Sequence, residues 1–188
     1  MLIKEYYKNC AIYSYEKEYT ELAKKILDND YSLVKELKNT KRNYVSLIKV
    51  NNQNYIYKEA RNEYIIPQRK LMTIFKNGEA LETLKNVNSL IQYGFTEYIK
   101  PLIAVNKRKK GMINFSFLVM EYIEGKEDRE QIDRILEKMK EIHKKGYYHG
   151  DFNPSNFLFS KENKLYILDT QCKKMLFGTY ISHYDMLN

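Results

Sequence analysis

The sequence contains no tryptophan, two cysteines, three prolines and seven glycines in 188 residues. Cys10 and Cys172 are too few for a disulfide framework or a four-cysteine zinc site. So little Pro and Gly excludes collagen-like, linker-like and Pro-rich scaffolds. The longest apolar run, around Phe115–Met120, is too short to span a bilayer. Met1-Leu2-Ile3-Lys4-Glu5-Tyr6-Tyr7-Lys8 holds no apolar signal core, so a reducing, cytoplasmic setting is expected. Hydrophobic residues at 44% and charged residues at 30% indicate a globular chain. The 32 basic residues outnumber the 24 acidic ones by eight. That excess favours an anionic partner: nucleic acid, a membrane surface or a phosphorylated small molecule.

Periodicity sets out the elements. Residues 1–30 read as polar with one helical stretch, in which Leu22, Ala23, Ile26 and Leu27 share a face behind Thr20 as N-cap. Three strands follow: Ser32–Leu37, Tyr44–Val50 and Tyr55–Lys58, separated by the tip Lys38–Arg42 and the turn residues Asn51–Asn54. Pro67 opens a short helix ending near Gly78, and a second helix runs from Glu79 to Ile91 with Ala80, Leu84, Val87 and Ile91 on one stripe. Two more strands, Ile99–Val105 and Ile113–Glu121, flank the basic tip Asn106–Gly111. An amphipathic helix, Arg129–Lys145, turns Ile132, Ile135, Leu136, Met139 and Ile142 to a core. A sheet-rich first half feeding a helical second half predicts an α+β fold.

The stretch richest in chemistry is Tyr148-His149-Gly150-Asp151-Phe152-Asn153-Pro154-Ser155-Asn156-Phe157-Leu158, followed by the apolar strand Leu165-Tyr166-Ile167-Leu168 and Asp169. The pattern is His-x-Asp-x4-Asn, with a second Asp 18 positions after the first. It resembles the catalytic loop and metal-binding strand of the protein-kinase-like superfamily, in the His-Gly-Asp form of its small-molecule and sugar kinases. Phosphoryl transfer from ATP is mostly positioning and charge neutralisation. In that chemistry Asp151 holds the acceptor hydroxyl, while Asn156 and Asp169 offer hard oxygens to Mg²⁺. Pro154 stiffens the loop, and His149 packs and hydrogen-bonds within it.

The resemblance implies further parts upstream. Tyr55-Ile56-Tyr57-Lys58 is placed like the Val-Ala-Ile-Lys element, making Lys58 the lysine for the α- and β-phosphates. Glu79 and Glu82 compete to pair with it. Glu79 flanks the apolar stripe and is preferred; Glu82 lies nearly opposite and is expected to be solvated. Met120-Glu121-Tyr122-Ile123-Glu124-Gly125 looks like an adenine-binding hinge, using backbone groups of Glu121, Tyr122 and Ile123 with Met120 beside the ring. No Gly-x-Gly-x-x-Gly lies between the first two strands, so the phosphates would fall to the Thr40 hydroxyl, backbone amides and Lys41 or Arg42. Asp169 is followed by Thr170-Gln171 instead of Phe-Gly, and Gly150 replaces the arginine that receives an activation-loop phosphate, so regulation of that kind is not expected.

Among families, Lys38–Val45, Tyr57-Lys58-Glu59, Pro67-Gln68-Arg69-Lys70, His149–Leu158 and Ile167–Gln171 resemble the bacterial lipopolysaccharide core heptose(II) kinases. The implied fold is bilobal and kinase-like within a single domain. A five-stranded antiparallel N-lobe spans about 30–120, a hinge 121–125, and a small helical C-lobe 126–188, with ATP in the cleft. The implied activity transfers the ATP γ-phosphate to a heptose hydroxyl of the inner core, using Mg²⁺, on the cytoplasmic side of the inner membrane. The expected acceptor is a small-molecule or lipid-linked sugar. Nucleic acid is not expected, and the excess of positive charge would suit peripheral contact with an anionic leaflet. An aminoglycoside- or choline-type phosphotransferase and a nucleotide-binding pseudokinase module are the alternatives. Only 19 residues follow Asp169, and His183-Tyr184-Asp185-Met186-Leu187 resembles the start of a next helix, so the chain is expected to be shorter than the working enzyme or to have an unusually small helical lobe.

Overall fold

Three two-residue turns fold the first half of the chain into hairpins: Lys8-Asn9 (φ 47° and 62°), Asn51-Asn52 (48° and 64°) and Lys110-Gly111 (53° and 80°). Both residues of each turn are left-handed, which matches the natural twist of the flanking strands. The computed structural model describes residues 1–150, 153–168 and 173–175, with Lys173 and Lys174 described by backbone alone. The chain divides into two compact units: Met1–Lys85 with Lys100–Tyr122, and Asn86–Ile99 with the described residues from Ile123 onward.

In chain order the first unit holds β1 (Ile3–Tyr7), β2 (Cys10–Ser14), α1 (Lys17–Leu27), β3 (Ser32–Asn39), β4 (Tyr44–Val50), β5 (Gln53–Glu59), α2 (Asn62–Ile65), α3 (Pro67–Met72), the start of α4 (Glu79–Gln92), β6 (Pro101–Lys109) and β7 (Met112–Glu121). The strands form one antiparallel sheet in the order β1-β2-β6-β7-β5-β4-β3. The sheet thus has seven strands and not the expected five. The extra pair is the β1–β2 hairpin, which adds to the free side of β6 through Ala11↔Asn106 to Ser14↔Ile103.

Strand alternation explains why that hairpin belongs there. Cys10, Ile12 and Ser14 all point to one face and are buried. On that face Ile12, Ile48, Tyr55, Tyr57, Ile103, Val105, Phe117 and Val119 pack against Leu22, Ala23 and Ile26 of α1. Thr20 is not the cap of α1; Glu16 is, in extended conformation. Thr20 lies inside the helix, buried, sharing a 2.9 Å hydrogen bond with Ser14 Oγ. The helix expected from Pro67 to Gly78 stops at Met72, and the chain then turns through Thr73–Asn77. At Gly78 φ is +92°, a left-handed conformation that a side chain would strain, and a Cβ there would also press on the Ile113 side chain.

The second unit contains the end of α4, β8 (Gly125–Lys126), a 3-10 turn at Arg129–Gln131, α5 (Ile132–Lys144), β9 (Tyr147–Tyr148), a second 3-10 turn at Pro154–Asn156, β10 (Phe157–Ser160), β11 (Leu165–Ile167) and β12 (Lys173–Lys174). The expected helix from Arg129 therefore begins one 3-10 turn late, because the Asp128 side chain accepts the Glu130 N–H and tightens the entry. Strands pair as β11-β10-β8 and as β12-β9. Ile135, Met139 and Ile142 of α5 meet Val87, Leu90, Phe95, Tyr98, Phe157, Phe159, Leu165 and Ile167 in a second core. Among the described residues no helix is long and apolar enough to cross a membrane.

Candidate functional site

The loop from Tyr148 to Asn156 is held by backbone geometry at both ends. His149 is fully buried; its Nε2 lies 3.1 Å from the Leu168 carbonyl and its ring packs on Phe157 at 5.5 Å between centroids. Gly150 has φ +88°, a left-handed conformation that a side chain would strain. Asn153 caps the following 3-10 turn by accepting the Ser155 N–H at 3.1 Å, and Pro154 occupies its first position.

Asn156 ends that turn half-buried, and its carbonyl accepts the Leu168 N–H at 2.7 Å. The next rung is Phe157↔Ile167 in the β10–β11 ladder. The structure thereby brings Asn156 beside the residue that precedes Asp169. Asp151 and Asp169 themselves lie outside the described residues, as do Thr170, Gln171 and Asp185. An amide oxygen at Asn156 is the hard, neutral donor that suits Mg²⁺. Among the described residues there is no cluster of three or more His, Cys, Asp or Glu that could hold a metal ion. A pocket of about 240 Å³ in this unit has Pro154, Ile132, Ile135, Glu127, Asp128 and Arg129 as its walls.

In the first unit, register places Lys58 opposite Leu118 and Ile56 opposite Met120. Lys58 and Met120 therefore share one sheet face, away from the α1 core, two rungs apart on adjacent strands. Leu118 and Met120 are buried there and Lys58 is half-buried. Glu79 opens α4 and is exposed, while Glu82, expected to be solvated, is half-buried. At the end of β7 the Glu121 N–H bonds the Lys100 carbonyl at 3.0 Å, and burial raises the Glu121 carboxyl above its ordinary range. Tyr122 is exposed and Ile123 half-buried.

The tip between β3 and β4 is internally closed. The Thr40 hydroxyl accepts the N–H groups of Asn43 (2.9 Å) and Arg42 (3.3 Å), and the Thr40 N–H donates to the Asn43 carbonyl at 2.9 Å. Lys41 is exposed at its crest. The hydroxyl is thus already engaged in shaping the turn, which presents the Lys41 side chain outward.

Sequence reasoning missed what anchors this tip. Arg61 reaches from beyond β5 to Asn39 Oδ1 (3.0 Å) and the Thr40 carbonyl (3.4 Å), with its guanidinium 4.8 Å over the Tyr44 ring. Its Nε donates to Glu59 Oε2 at 3.0 Å, and the same carboxylate accepts the hydroxyls of Tyr57 (2.8 Å) and Tyr64 (3.1 Å). Burial and the Glu59 charge push the Tyr57 and Tyr64 hydroxyls well above the ordinary tyrosine value, so both stay donors. A second missed residue is Glu63, whose Oε1 accepts the Glu79 N–H at 2.8 Å and so ties down the first turn of α4. The only signal for the first group was Glu59-x-Arg61, a spacing too common to interpret alone.

Taken together, the described residues supply a hard-oxygen donor joined to residue 168, a half-buried strand lysine on a face with a buried methionine, and a basic hairpin tip with a fixed turn. The chain matches the family described as Lipopolysaccharide core biosynthesis protein (WaaY) over residues 1–178. No curated protein matches it.

Proposed function

Because the chain belongs to the lipopolysaccharide core biosynthesis protein (WaaY) family, we propose that it is an ATP-dependent kinase that phosphorylates a heptose of the lipopolysaccharide inner core. The observation that carries this reading beyond the family is the 2.7 Å bond from the Leu168 N–H to the Asn156 carbonyl. It joins the two segments of the kinase-like motif at the positions where the metal-binding amide and carboxylate are expected. The fold proposed is kinase-like. The division of the chain after Tyr122 supports it, since it falls inside the expected hinge.

Each residue then has a chemical task. Asp151 orients the acceptor hydroxyl and takes its proton as the phosphoryl group arrives. Asn156 and Asp169 would hold Mg²⁺, which when bound would supply charge neutralisation on the phosphate oxygens. Lys58 engages the α- and β-phosphates, with Glu79 its proposed partner. Lys41 and the backbone of the Thr40 tip lie over the phosphates, and Met120, Glu121, Tyr122 and Ile123 receive the adenine. The acceptor is a lipid-linked or free core sugar, met on the cytoplasmic side of the membrane.

The deciding experiment measures phosphate transfer from labelled ATP to isolated core oligosaccharide, alongside nucleotide affinity by calorimetry. Asp151→Asn should abolish transfer and leave Mg-ATP affinity nearly intact. Asp169→Ala should lose both. Transfer to aminoglycosides or choline but not to core would replace the acceptor; nucleotide binding with no transfer to any alcohol would replace the enzyme with a binding module.

A further inference from the structure

Two segments of the first unit contain no acidic residue: 64–78, between Glu63 and Glu79, and 106–116, around the β6–β7 turn. They carry Arg69, Lys70, Lys76, Lys107, Arg108, Lys109 and Lys110, seven positive charges in a chain of net charge +8. Hydrogen bonds join the two segments. Arg108 donates to the carbonyls of Thr73 and Lys76, each at 2.7 Å, and to the Gly111 carbonyl at 2.6 Å. The Thr73 hydroxyl accepts the Ile113 N–H at 2.9 Å, and Lys70 reaches Asn114 Oδ1 at 3.3 Å. Arg108 is engaged in the joint, and Arg69, Lys76 and Lys110 around it are exposed. Lys107 and Lys109 alternate with Arg108 along β6, and Lys107 stands opposite Phe115, on the α1 side of the sheet.

Apolar side chains stand out of this basic ground. Leu71 is 56% exposed, Met72 49%, Ile74 43% and Phe75 82%. They follow one another at the end of α3 and in the turn after it, so they form one contiguous crest. The flanking carboxylate of Glu63 is turned inward to the Glu79 N–H. A cluster of exposed large apolar groups calls for an occupant, and its charge selects which. A second copy of this chain would bring the same positive field against itself. A nucleic acid would satisfy the lysines but leave Leu71, Met72 and Ile74 in water. An anionic bilayer meets both demands, taking the apolar crest into the headgroup–acyl boundary and the lysines onto the lipid phosphates.

We infer that the Leu71–Phe75 crest, with Arg69, Lys76 and Lys110 around it, forms a docking surface for anionic phospholipid membranes. The surface is separate from every residue assigned to the reaction, so its test does not depend on the kinase reading.

The test is co-sedimentation of the full chain with phosphatidylglycerol-containing phosphatidylcholine vesicles and with pure phosphatidylcholine vesicles, without nucleotide. Binding is expected only to the anionic vesicles, and it should weaken as salt is raised. The double variant Leu71→Ser/Phe75→Ser should lose affinity on the order of tenfold. Each of Arg69→Gln, Lys76→Gln and Lys110→Gln should lose about fivefold. Thermal melting should hold in all of them, since every altered side chain is exposed. Lack of binding by the unmodified protein would overturn the inference, as would variants that bind as it does. A dimer dissolved by Phe75→Ser in light scattering, or a single-stranded RNA that binds through the same five residues while vesicles do not, would assign the surface to that other occupant instead.

Discussion

The two units reach order by different routes. In the first, four of the six strand pairings join neighbours in sequence, and three hairpins with two-residue turns supply most of a seven-stranded sheet, in strands of five to ten residues. In the second, strands of two to four residues cannot stand alone, and the joints are long-range backbone bonds. Ile167 donates to Glu97 at 2.9 Å and accepts from Ile99 at 3.2 Å; Met175 donates to Gly146 at 2.7 Å. The lesson is that the first unit rests on ladder and turn chemistry, whereas the second depends on its apolar core to hold segments that local propensity would leave open.

The sharpest way to break that contrast is a cavity in each core. Phe157→Ala in the second unit and Phe117→Ala in the first should each cost about 3–5 kcal/mol by denaturant unfolding. By hydrogen exchange, Phe157→Ala should expose the joints at Ile99, Ile167 and Leu168 together, while Phe117→Ala should leave the two-residue turns of the outer hairpins closed. Identical exchange patterns from both would erase the distinction. Next in size is Gly150→Ala, which places a Cβ at φ +88° and should lower the melting temperature through about 1 kcal/mol or more.

A smaller effect tests the anchoring of the tip in the first unit. Arg61→Ala removes the bonds to Asn39, Thr40 and Glu59 and should cost about 1 kcal/mol. It should also speed tryptic cleavage after Lys41 and Arg42, with Arg61→Lys intermediate; unchanged cleavage would show that the tip holds itself. The smallest effect is one of pH. Burial raises the Glu63 carboxyl above its ordinary value of 4.5. The folded state therefore holds this proton more tightly than the unfolded state, and the stability it contributes is lost as pH rises through the raised value. Glu63→Gln keeps an acceptor for the Glu79 N–H without that loss, so its stability relative to the unmodified protein should climb from about pH 4.5 upward. A flat difference across that range would mean that the carboxyl is not buried as a charge.

What could be read in advance follows the same division. Strands β4 to β7 and helices α4 and α5 announced themselves by period, because each buries one face and exposes the other. The β1–β2 hairpin did not, since its Lys8-Asn9 turn lacks glycine and its tyrosines blur the alternation. Thr20 looked like a cap because threonine favours that position; its real partner, Ser14, sits on another element. The His149–Asn156 loop drew notice because its spacing is tied to chemistry, and the structure describes its two ends without Asp151 and Phe152. The Glu59–Arg61 network and the Glu63 bond were not, because they exist only once strand, tip and helix have been brought together.

Strand β3 carries a consequence for behaviour at high concentration. It lies at the outer edge of the sheet with every residue exposed, Leu33, Val34 and Leu37 included. An unbroken eight-residue edge of that kind would be a template on which further copies could stack, strand upon strand, into an insoluble aggregate. Its register against β4 slips twice, between Leu33 and Lys35 and between Glu36 and Lys38, so that Val34 and Leu37 are each one residue too many for the ladder. These misfits kink the edge and spoil its spacing for an incoming chain, while Lys35 and Lys38 repel a second copy. Smoothing this strand toward ideal geometry is therefore expected to promote stacking of copies along it.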